Sequence, residues 1–168
     1  MTVKDLEVRY DYGYWANRKY VEAMAALTAE QFTQSVAGTY GSIRNTLVHM
    51  LSAEWGWLDR CGGAPRGPAL NPADYPTLAS VVDRWAQVEQ HVRQFLAGLR
   101  DEELARVVEF SLGAPRYSMR IGDLMQHAAN HGVHHRGQVA LLLRALGCPP
   151  GNVDLLFYYA GEKHPPSL

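Results

Sequence analysis

The sequence predicts an all-α fold, a four-helix bundle. Four long stretches repeat apolar residues at helical spacing, and Gly- and Pro-rich segments punctuate them. The length of 168 residues suits a single domain, 1–168, with one continuous core. There is no internal repeat and no low-complexity tract.

The first helix is expected over 3–27, marked by Leu6, Tyr10, Tyr14, Val21, Met24 and Leu27. Thr28 and Gln31 then form a capping box, which starts a short further turn of helix. The second helix runs over 42–60, opening at Ser42 and stopping at Cys61-Gly62-Gly63. A Gly/Pro-rich loop leads to the third helix, from Thr77 to near Arg100. Segment 106–120 has β-branched and aromatic ends around Gly113-Ala114-Pro115, the pattern of a small hairpin or an extended crossover. The fourth helix is expected over 119–146 with Ser118 as N-cap, ended by Gly147 and Pro149-Pro150. The tail from Asn152 is apolar enough to pack as one more short helix.

Composition excludes several function classes. A formal net charge of −1 provides no field to attract nucleic acid or an anionic membrane. No stretch reaches the ~18 apolar residues of a membrane span, and the opening MTVKDLEVRY lacks the apolar run of a signal peptide. A soluble, cytoplasmic protein is expected. Cys61 and Cys148 show no metal-ligand spacing and read as free thiols.

The chemistry is concentrated in the seven histidines. On the fourth helix, Ile121, Leu124, Ala128, His131, His135, Gln138, Leu142 and Ala145 alternate by three and four, which is the stripe that faces a bundle interior. His131 and His135 stand one turn apart on it, so both rings can converge on one ion. Two buried imidazoles without partners would cost a few kcal/mol in lost hydrogen bonds; a metal ion removes that cost, as would mutual, water or carboxylate hydrogen bonds. A third ligand must come from another helix. His49 has small neighbours, Thr46, Ala53 and Gly56, that leave room to reach across; His91 is the competitor, in a more solvated setting. His127 could replace His135 in the pair, whereas His134 points off the stripe and His164 has no helical partner. Glu54 lies in the apolar arc of the second helix and reads first as a structural hydrogen-bond partner of a buried Tyr or Trp, second as an acid/base group. The zinc-protease pattern, the di-iron carboxylate pattern and the phosphate-binding Gly motifs are all missing.

These residues resemble the DinB (damage-inducible) and YfiT-like family of metal-dependent proteins over nearly the whole chain. The opening YDYGYWANRKYVEAMAAL is similar to its aromatic first helix. Ser42-Ile43, Leu47, His49, Glu54 and Trp57 resemble its second-helix motif, and His131-x-x-x-His135-Arg136-Gly137-Gln138 matches its HxxxHRGQ signature. The resemblance implies His49, His131 and His135 as ligands of a divalent Zn- or Ni-type ion, an up-down-down-up bundle, and a homodimer. Three imidazoles alone suit Zn, Ni, Cu or Fe(II) and leave a position open for water or substrate. By similarity to the wider superfamily, the expected activity is transfer of a small thiol, such as bacillithiol or mycothiol, to an electrophile in detoxification. The alternatives are a metal-dependent hydrolase and a non-catalytic metal-binding protein. Nucleic acid and membrane are not expected partners.

Overall fold

A computed structural model describes residues 1–37, 39–65 and 67–161; His164 and the end of the tail lie outside them. The protein is mostly helical. Four long helices, α1 (Val3–Met24), α3 (Ile43–Cys61), α4 (Leu78–Ala97) and α5 (Ile121–Ala145), are accompanied by two short ones, α2 (Ala29–Thr33) between α1 and α3 and α6 (Leu155–Tyr159) after α5, and by one hairpin, β1 (Val107–Ser111) with β2 (Arg116–Arg120), between α4 and α5. Among the described residues no helix is long and apolar enough to cross a membrane.

Local chemistry starts the helices. The Thr2, Thr28 and Thr77 side chains each accept from the backbone N–H three residues on, with the reciprocal bond made by Asp5, Gln31 and Ser80. Ser42 caps α3 by accepting from Asn45 N–H. Each long helix then buries one apolar stripe. Leu6, Leu47, Leu51, Val81, Val88, Leu124 and Leu143 are all at most 1% exposed and form one core. Each of α1 and α3 packs against both α4 and α5. A satellite cluster forms where α6 docks on α1: Tyr158 packs edge-on against fully buried Trp15, and Tyr12 Oη donates to Val153 O.

Three expectations needed adjustment. The first helix stops at Met24, with Ala25 as its C-cap, so Leu27 lies beyond it. The last long helix starts at Ile121, not near Ser118: segment 106–120 resolves as the hairpin, in which Ser118 pairs with Glu109 and Arg120 with Val107, leaving Arg120 in the N-cap position. Strand pairing keeps the backbone extended through Arg120, so Ser118 lies inside β2, two residues short of the N-cap position. The stripe of α5 also drifts. Ile121, Leu124, Ala128 and His135 face inward, but further on Val139, Ala140 and Leu143 are buried, while Leu142 is half-buried and Ala145 exposed. A straight helix at 3.6 residues per turn falls ~20° out of phase with a 3.5 repeat each heptad, which accounts for the shift.

Candidate metal centre

The α3–α5 contact brings three histidines together. His49 comes from the second turn of α3; His131 and His135 stand one turn apart on α5. His135 is buried, and His49 and His131 are half-buried. His131 Nε2 lies 3.2 Å from His49 Nε2 and 3.1 Å from His135 Nε2. All three ligand atoms lie within 4.8 Å of one another. Imidazole nitrogens sharing one ion at Zn–N distances of 2.0–2.1 Å would be separated by roughly 3–3.4 Å. Two edges of the triangle are already close to that spacing. The donor set therefore fits a single divalent ion with further positions open on the half-buried side.

Hydrogen bonding supports the same reading. His135 Nδ1 lies 2.7 Å from Gln138 Oε1. An amide oxygen only accepts, so His135 carries its proton on Nδ1 and turns a bare Nε2 lone pair towards His131. The Gln138 amide is oriented in turn by its contact with His134 Nε2 at 3.3 Å. Burial holds the His131 pKa down at about 4, with repulsion from His135 and His49 adding to it. Burial also lowers that of His135, against the opposing pull of Gln138. At neutral pH His131 and His135 are uncharged imidazoles, the protonation state that ligates metals.

The other described histidines stay outside. His91 is exposed, bonds Gln87 O through Nδ1 and meets the Trp55 ring edge-on. His127 is exposed and packs edge-on against Trp57, so it does not replace His135. His134 is exposed as well.

Glu54 takes the structural role expected of it. The Tyr14 hydroxyl donates to its Oε1 at 2.7 Å. Burial raises the Glu54 carboxyl to about 7, against the opposing effects of the Tyr14 hydrogen bond and the Arg136 charge. Burial likewise raises the Tyr14 phenol far above its ordinary range. Nearby, Arg136 is buried and donates to Asn17 Oδ1 at 3.1 Å, tying α5 to α1 one residue from His135. The Trp85 indole faces the Glu54 carboxyl and helps to hold its pKa down, while among described residues the buried Arg84 Nε has no hydrogen-bond partner. Cys61 and Cys148 are free thiols, and burial pushes that of Cys61 up to about 12, so it is not a ready thiolate ligand or nucleophile.

Two neighbours of the triad escaped the sequence reading. Tyr40, in the turn between α2 and α3, lies flat on His49, and Gln138 sets the tautomer of His135. Gln138 was visible only as a member of the stripe and the signature. For Tyr40 the only local signal was an aromatic flanked by Thr39 and Gly41 just ahead of a helix cap.

Comparison with known proteins agrees with this architecture. The DinB family model matches residues 1–166. Protein DinB of Bacillus subtilis (strain 168) is 24% identical over 159 residues, covering 89% of this chain and 90% of the relative. Among solved structures, a DinB-like protein from Bacillus cereus ATCC 10987 is similar with a TM-score of 0.71 and 20% identity, over 91% of this chain and 98% of that one. At that identity the structural likeness speaks for the fold alone.

Proposed function

The chain belongs to the DinB family, and from that premise we propose that it is a metal-dependent transferase. In this reading it joins a low-molecular-weight thiol, of the bacillithiol or mycothiol kind, to a small electrophile. His49, His131 and His135 hold one divalent ion, Zn or Ni. The observation that carries the proposal is the triangle of Nε2 atoms at 3.1 and 3.2 Å, drawn from two helices and half-open to solvent. A closed structural site takes four protein ligands; among the described residues only these three are grouped here.

A bound divalent ion supplies Lewis acidity, which favours the ionised form of a thiol or of water at neutral pH. The protein contributes placement. Gln138 holds the His135 ring in one tautomer, and the α3–α5 packing sets the distance between His49 and the other two. Aromatic rings, Tyr40 on one side and His127 with Trp57 on the other, border the cluster and suit a small organic substrate. In the reaction the thiol loses its proton to solvent, its sulfur forms a bond to an electrophilic carbon, and the bond from that carbon to the leaving group breaks, the group departing with the electron pair.

An up-down-down-up path is part of the same reading. Its support is contact register: Tyr10 meets Met125 and Asn17 meets Arg136, as in parallel helices, whereas Asp11 meets Arg93 from an α4 running the other way. A homodimer is also proposed, supported by the exposed Val133, Leu141, Leu156 and Tyr159 on α5 and α6. The free thiols fit a cytoplasmic setting.

The test is turnover of the metal-loaded protein against a panel of small thiols and electrophiles, with ester and amide substrates alongside. Thiol-dependent product formation lost in His131→Ala supports the transferase. Hydrolysis without thiol would favour water as nucleophile. Metal uptake without turnover of either kind would make this a binding protein.

A further inference from the structure

We infer that Tyr40 is a positioning residue of the metal centre, holding the His49 ring in its ligating orientation and strengthening the loaded state. This rests on the reading of the three histidines as an ion site. The Tyr40 ring lies on His49 with centroids 3.8 Å apart and planes 18° from parallel. The same ring meets His135 edge-on, with centroids at 5.2 Å. One side chain thus touches ligands from two helices, although it is 48% exposed and belongs to neither helix.

Its placement is built rather than incidental. Val36 N–H donates to Gly41 O at 2.6 Å, Thr39 Oγ1 donates to Val36 O at 2.8 Å, and Gly41 N–H donates back to Thr39 Oγ1 at 3.1 Å. Gly41 has a φ of 99°, which a side chain would strain, and a Cβ there would lie 3.1 Å from Asn45 Nδ2. Ser42 follows at once as the N-cap of α3, so the turn is fixed to the helix that carries His49. These bonds set the backbone on both sides of Tyr40.

The energetic argument is differential. A phenol ring presents an electron-rich face, and its attraction to a neighbouring ring grows as that ring becomes more positive. A neutral His49 gains ordinary stacking; a His49 that has given its lone pair to a divalent cation gains more. Tyr40 therefore favours the loaded protein over the empty one, which is what raises affinity. It also holds the imidazole in plane before the ion arrives, lowering the ordering cost of capture.

The test compares wild type, Tyr40→Ala and Tyr40→Phe. It uses Zn(II) affinity by competition with a chromophoric chelator, the rate of Zn(II) release, and the visible spectrum of the Co(II)-substituted protein. Tyr40→Ala should bind Zn(II) about three- to tenfold more weakly and release it correspondingly faster, with altered Co(II) bands. Its metal-free melting temperature should stay within about 2 °C of wild type, because the side chain is half exposed. Tyr40→Phe keeps the ring face and should restore all three readouts to within about twofold. Wild-type affinity, release rate and spectrum in Tyr40→Ala would overturn the inference, and so would a Tyr40→Phe protein as impaired as Tyr40→Ala. If wild-type protein takes up no ion, the metal-site reading fails first and this inference with it; uptake by wild type with no effect of Tyr40 removes this inference alone.

Discussion

Around Glu54, the hydrogen-bonding groups pair off: Tyr14 donates to the carboxylate, and Arg136 donates to Asn17. Around His131, three ring nitrogens converge at 3.1 and 3.2 Å, and the one tautomer that can be assigned, that of His135, turns a lone pair inward. Both groups lie between the helices of one bundle. The first stabilises the fold with bonds the protein makes to itself. In the second, one Nε2–H on His131 can bridge to a neighbouring ring, and the same three nitrogens are spaced to turn their lone pairs on a single divalent ion. Burial shifts titration in both, but in opposite directions, lifting the Glu54 carboxyl to about 7 and pushing His131 down to about 4.

Substitutions should separate the two regions. The largest effect belongs to the ligands. His49→Ala or His135→Ala should weaken Zn(II) binding by more than about a hundredfold, the upper end of what loss of an outer hydrogen-bond partner costs. His91→Ala should leave it unchanged. Chelator competition checks both, and near-normal affinity in His49→Ala would take His49 out of the site. Next comes Gln138→Ala, which releases the His135 tautomer and should cost about 10- to 100-fold in metal affinity. The melting temperature of the metal-free form should move little.

Asn17→Ala should show the reverse pattern. It leaves the buried Arg136 guanidinium short of one hydrogen-bond partner, a loss of about 1–3 kcal/mol that lowers the melting temperature by several degrees. Zn(II) affinity should stay close to wild type. A stable Asn17→Ala protein that had lost its metal would merge the two regions into one.

The last effect is a matter of pH. Glu54 has a folded pKa of about 7, above its ordinary 4.5. Its protonated form is favoured on folding, so its contribution to stability is complete below pH 4.5 and is lost as pH rises through about 7. Glu54→Gln cannot ionise and should flatten that part of the stability profile. His131 works the other way in metal-free protein. Protonation of the unfolded chain near 6.5 makes stability fall as pH drops from there towards 4. Chemical denaturation across pH 4–8 resolves the two slopes, and an unchanged profile in Glu54→Gln would contradict the assignment.

Legibility in the sequence followed the range of the interactions. Helix starts at Ser42 and Thr77 were readable because a cap bonds three residues ahead. The pairing of His131 with His135 was readable because both lie on one helix. The start of α5 was not, since Ser118 answers to Glu109 across a strand and not to its neighbours. His49 could not be chosen over His91 by spacing, because the choice depends on how α3 meets α5; family resemblance favoured it, and the fold brings it to the pair. Tyr40 was out of reach for the same reason, its position being set by a turn that folds back from Val36 to Gly41.

The central claim is that the three histidines take one ion and that the fold does not depend on it. Its most direct test is titration of chelator-stripped wild-type and His131→Ala proteins with Zn(II), followed by metal analysis and circular dichroism. Stripped wild type should keep most of its helical signal, because its core is apolar, and should take up about one ion per chain with a gain in thermal stability from ligand linkage. His131→Ala should show the same helical signal and no such uptake. A stripped wild type that is unfolded at neutral pH, or a His131→Ala protein that binds Zn(II) as wild type does, would contradict the account.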